Sequence, residues 1–113
     1  MLTLKYGIES LIRTKYFILN MKKSIQTKLT IVNKLGLHAR AAAKLAATAN
    51  KYSSTIMVGM KAHELKDAKS VMSLMLLAAS NGATLHFDIK GSDAENAYEA
   101  LKGLINNKFD EEK

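Results

Sequence analysis

One short stretch of this chain carries residues that could do chemistry together: Gly36-Leu37-His38-Ala39-Arg40. An imidazole is a nucleophile that titrates near neutrality, so its neutral form is plentiful in a cell. Arg40 stands two residues away with a permanent, planar positive charge. The pentapeptide precedes an Ala-rich segment with helical periodicity. The first turn of a helix offers backbone N–H groups that have no intrahelical partner, together with the positive end of the dipole. A glycine lets such a loop make close approaches. These parts make an anion site with a nucleophile in it. A phosphoryl group on His38 would be held there by the N–H groups and by Arg40. Taken alone, a His-X-Arg at a helix start is equally the pattern of a poor cap followed by a solvated charge.

Other chemistries are excluded or weak. The chain has no Cys, so thiol catalysis, disulfides and thiolate metal sites are absent. The three histidines, at 38, 63 and 86, are too scattered for a zinc set, and no metal or cofactor is expected. His63 and His86 read as solvated side chains. The 17 Lys and Arg against 10 Asp and Glu give a net charge of +7. That raises the alternative of a small basic nucleic-acid-binding module, which would need aromatics for base stacking. There are only 3 Phe and 4 Tyr, and three of the seven lie within residues 1–20. No nucleic-acid partner is expected.

The elements that must position the site follow from patterning. At 113 residues, 48% apolar and 24% charged, the chain has the size and composition of one folded domain. Ile25, Leu29 and Ile31 alternate with Gln26, Lys28 and Thr30, which predicts a strand. Ala42, Leu45, Ala46 and Ala49 follow helical spacing. A strand over Thr55–Val58 and a weak hairpin strand up to Lys66 come next. A second helix is expected from Ser70 to the Asn81-Gly82 pair. Leu85, Phe87 and Ile89 mark a fourth strand. A capping box of Ser92 and Glu95 opens a third helix, with a stripe of Ala94, Ala97, Tyr98, Leu101, Leu104 and Ile105. The tail, residues 106–113, reads as polar and frayed. The order β-α-β-β-α-β-α implies an α+β open-faced sandwich: a four-stranded antiparallel sheet with three helices on one face.

Residues 1–20 fit neither a signal peptide nor a membrane span, because Lys5, Glu9, Arg13 and Lys15 interrupt their apolar runs. They are expected to be an extension upstream of the domain, or of its true start at Met21. Residues 21–113 are expected to form the domain, cytoplasmic, monomeric and without a membrane partner. The second helix is apolar nearly all round, so some of Val71, Met72, Met75 and Leu76 should face solvent and dock partners.

Two motifs in this order resemble the HPr family, the histidine-containing phosphocarriers of the bacterial phosphoenolpyruvate-dependent phosphotransferase system. Gly36 to Arg40 match the family's G-hydrophobic-H-A-R. Lys69-Ser70, an apolar helix and Gly82 match its second pattern. The resemblance covers about residues 21–110. It implies a phosphoryl carrier, not an enzyme, with His38 as acceptor and Arg40 neutralising the phosphate. It further implies Ser70 as a regulatory position open to a serine kinase, and a docking surface of Ala39, Ala43, Val71, Met72, Met75 and Leu76. The implied partners are enzyme I and an enzyme IIA-type acceptor. Ala41 stands where the family usually has Pro, and Ala suits a first helical turn as well. Asn33 to Gly36, Leu74 to Leu77 and the ending 107–112 look more like the nitrogen-regulatory branch than the sugar branch. A homologue that regulates by partner binding alone is the alternative; it would not require both His38 and Arg40.

Overall fold

The computed structural model describes residues 23–113, so the expected extension over 1–20 lies outside the described residues. Strands β1 (Ser24–Thr30), β2 (Thr55–Lys61), β3 (Glu64–Asp67) and β4 (Thr84–Lys90) form one sheet in the order β1-β4-β2-β3. Every pairing is antiparallel. Helices α1 (Ala39–Ala49), α2 (Val71–Leu76) and α3 (Ala94–Asn106) pack on one face, and a 3-10 turn, Lys108–Asp110, follows α3. This is the expected open-faced sandwich.

Period-two patterning decides which face is covered. Leu29 pairs with Leu85, Ile25 with Ile89, and Val58 with Phe87, putting the apolar rows in register beneath the helices. Gln26, Lys28, His86 and Asp88 pair across the open face. Leu45, Ala42 and Ala49 of α1 and Ala97, Leu101 and Ile105 of α3 are fully buried against the sheet layer. His63 lies exposed in the β2–β3 turn. No described helix is long and apolar enough to cross a membrane.

Three local expectations are corrected. First, α2 stops at Leu76, five residues before Asn81. Ala78 turns left-handed at φ 51°, and the chain beyond it is claimed by the end of β1. Leu37 N–H donates to Ala79 O (2.8 Å), Gly82 N–H to Ile31 O (2.8 Å) and Ile31 N–H to Ala83 O (2.9 Å). These tertiary bonds tie residues 79–83 to Ile31 and Leu37 in place of further helical turns.

Second, no capping box forms at Ser92. Asp93 is the N-cap of α3, and its side chain makes no cap bond. It reaches back instead to the α1–β2 loop. The N–H groups of Ser53 and Ser54 donate to it at 2.8 and 2.9 Å, and both Ser hydroxyls donate as well. Four donors, led by the Ser54 hydroxyl, hold the Asp93 carboxyl down to about 2.

Third, the tail does not fray. Phe109 is fully buried, worth about 2 kcal/mol of apolar transfer. Lys44 of α1 donates to its carbonyl at 2.9 Å. Phe109 and its neighbours Lys108 and Asp110 take positive φ, a tight reversal that turns the last residues back over the start of α1.

Candidate functional site

The loop between β1 and α1 is shaped by Gly36. Its φ is +69°, and a Cβ there would lie 2.6 Å from Ala79 O and 2.8 Å from Ser80 Cα. The close approach foreseen for this glycine is thus to the α2–β4 connection. The loop is tied further by Gly36 N–H to Asn33 O (3.2 Å) and Asn81 Nδ2 to Asn33 O (3.0 Å).

His38 is the N-cap residue of α1, in extended conformation at φ −78°, ψ 179°, and its side chain makes no cap bond. Ala42 N–H is the first to bond within the helix, to His38 O at 2.8 Å. The N–H groups of Ala39, Arg40 and Ala41 therefore precede the intrahelical ladder. Ala41, where the family usually has Pro, is fully buried in this first turn. The imidazole is 30% exposed. Its Nε2 meets a carboxylate oxygen of Glu111, and among the described residues no hydrogen bond reaches Nδ1. The Arg40 side chain is exposed and has no ion pair among the described residues.

Glu111 is held from the loop as well. Asn33 Nδ2 donates to its second oxygen at 2.8 Å and to Gly36 O at 2.8 Å. Two acceptors on one nitrogen fix the orientation of the buried amide. Its oxygen then has no partner among the described residues. The bond from Asn33 holds the Glu111 carboxyl below its usual range, and His38 and the Arg40 charge push the same way against the cost of burial. Lys34, Leu35, His38, Ala39, Arg40, Glu111 and Lys113 line a cleft of about 650 Å³.

The expected docking residues lie on two helices that pack together. On α1, Ala39 and Ala43 are exposed. On α2, Met72 is 71% and Leu76 77% exposed, with Val71 and Met75 also open, while Leu74 alone is fully buried. Ser70 is the N-cap of α2, and its Oγ accepts from Ser73 N–H at 3.2 Å. No cluster of three or more His, Cys, Asp or Glu suited to a metal occurs among the described residues.

A family model described as the PTS HPr component phosphorylation site matches residues 25–107, which include His38, Arg40 and Ser70. The chain belongs to the HPr family of phosphocarrier proteins. It is 48% identical over 84 residues to phosphocarrier protein HPr of Pseudomonas aeruginosa, covering 74% of this chain and 93% of that one. It is 40% identical over 87 residues to phosphocarrier protein NPr of Shewanella violacea, covering 77% and 94%. The crystal structure of an HPr from Thermoanaerobacter tengcongensis superposes with a TM-score of 0.73 at 43% identity, covering 79% of this chain and 99% of that one. The HPr model stops at residue 107, short of the docked tail.

Sequence reasoning named His38, Arg40 and Ser70 as site candidates and did not name Glu111, Asn33 and Lys44, which the structure brings to the start of α1 and the loop before it. The signal was available. Phe109 is the one large apolar residue in a polar ending, and the acidic run Asp110-Glu111-Glu112 beside it suits a basic cleft.

Proposed function

We propose that this HPr-family chain carries a phosphoryl group on Nδ1 of His38, taking it from phosphorylated enzyme I and passing it to an enzyme IIA-type protein. The observation that carries the reading is the state of His38. It sits at the N-cap of α1 without capping it, with one ring nitrogen engaged and the other directed to no protein partner among the described residues. The Nδ1 lone pair forms the new N–P bond as the donor's N–P bond breaks, and the donor keeps that electron pair. The unpaired N–H groups of the first turn and the Arg40 guanidinium can then face the phosphoryl oxygens. The cycle regenerates the carrier, so no turnover chemistry is required of the fold.

The exposed apolar side chains of α2 support a docking surface shared by donor and acceptor, with Ala39 and Ala43 on the α1 side. Met-containing surfaces adapt to several partners. Ser70, at the edge of that surface, is the position where a serine kinase could regulate docking. The test is a relay in solution. Phosphoenolpyruvate, magnesium and enzyme I should add one phosphoryl group, and an enzyme IIA-type acceptor should remove it. A chain that takes up no phosphate under these conditions contradicts the proposal.

A further inference from the structure

Glu111 has no role in the steps above, yet it is the group His38 touches. Its side chain is 15% exposed and is held by Asn33, while Lys44 anchors the preceding turn through the Phe109 carbonyl. Asp110 is turned away, toward Lys44 and Asn107. An ionised carboxylate only accepts, so the hydrogen between Glu111 and Nε2 belongs to the ring. The neutral imidazole is then the tautomer with its lone pair on Nδ1.

We propose that Glu111 is a positioning residue for phosphoryl transfer, holding the proton on Nε2 of His38 through both halves of the cycle. The proposal rests on His38 being the acceptor. When Nδ1 bonds to phosphorus, Nε2 keeps its hydrogen and the ring becomes an imidazolium facing the carboxylate. When the phosphoryl group leaves, the N–P electron pair returns to Nδ1 and the ring departs neutral, its proton still on Nε2. No proton enters or leaves the site. Without that proton the leaving group would be an imidazolide anion, a far poorer one. The other side-chain charges lining the cleft oppose this state: Arg40 from α1, Lys34 from the loop and the ammonium of Lys113 from the tail are cations. Glu111 is the one side-chain carboxylate lining the cleft among the described residues, while the terminal carboxylate of Lys113 is held on the loop by Lys34 N–H.

The experiment uses the full chain, phosphorylated by enzyme I and phosphoenolpyruvate, with spontaneous loss of phosphate followed by phosphorus NMR across pH. Glu111→Gln keeps the shape and removes the charge; Glu111→Asp keeps the charge. The protonated, fast-hydrolysing ring should persist to higher pH in the wild type. In the Gln variant the fall in rate should move about one pH unit toward acid, as loss of one charge-assisted hydrogen bond implies. The Asp variant should lie between the two. Superimposable profiles for wild type and Gln would overturn the proposal while leaving His38 as acceptor. A Gln shift matched in full by Asp would assign the effect to tail displacement and overturn it as well. If the wild type takes up no phosphate, the underlying reading of His38 fails instead.

Discussion

In the proposed transfer Arg40 and His38 would divide the work at the start of α1: one holding charge, the other making the bond. The guanidinium can meet two phosphoryl oxygens at once, which an ammonium on a flexible stem does less well. Arg40→Lys should therefore slow phosphoryl uptake about tenfold or more, the factor that ~1.4 kcal/mol of lost stabilisation produces. Its melting temperature should stay close to that of the wild type, because Arg40 is exposed and unpaired among the described residues. Stopped-flow uptake and a melting curve on the same sample check this; equal rates for Arg and Lys would remove the bidentate contact. His38 and Arg40 were legible because their chemistry is local, five residues at a strand-to-helix junction. Glu111 was not, because its partner His38 lies 73 positions away and the fold alone brings the two together. Ser92 misled for a related reason: the spacing of a capping box was present, but Asp93 had tertiary partners in Ser53 and Ser54.

At the scale of elements, α2 makes the sharpest statement. It has six residues, one of them fully buried, and it presents Met72 and Leu76 to solvent. Apolar residues nearly all round signalled that some would be exposed. The end of the helix was not readable, since backbone bonds from the loop before α1 cut it short of the Asn81-Gly82 pair. Ser70 already accepts from Ser73 N–H, and a carboxylate there caps as well and favours the helix dipole. Ser70→Asp should thus keep or raise the melting temperature by a degree or two, the effect of a few tenths of a kcal/mol. The new charge lies next to Val71 and Met72 and must be desolvated or repelled on docking. Initial rates of His38 phosphorylation at low enzyme I should fall severalfold. An Asp variant phosphorylated as fast as the wild type would take Ser70 and its flank off the docking surface.

At the scale of the whole molecule, two carboxylates clamp parts of the chain that lie far apart in sequence. Asp93 clamps the start of α3 to the α1–β2 loop, and Glu111 clamps the tail to the β1–α1 loop. Both titrate below their ordinary range when folded. A depressed carboxyl stabilises the fold fully above its unfolded value and loses that contribution as pH falls through the folded one. For Asp93 the window runs from the ordinary 3.8 down to about 2. Acid titration of the melting temperature should fall through this window, and Asp93→Asn should flatten the fall; an unchanged slope would contradict the clamp. Strand and helix order was legible across the domain because each element has its own period, whereas the clamps join residues far apart in sequence. Residues 24–113 carry every contact of the site described above, so removing residues 1–20 should leave stability and phosphoryl uptake unchanged. A loss beyond the ~0.5 kcal/mol usual for surface changes would give that segment a packing role. The central claim is that His38 is the phosphoryl acceptor. Its most direct test is intact mass of the wild type and His38→Ala after incubation with phosphoenolpyruvate, magnesium and enzyme I, before and after mild acid. The wild type should gain one phosphoryl group that acid removes, and a folded His38→Ala should gain none; an acid-labile adduct on the Ala variant would contradict the account.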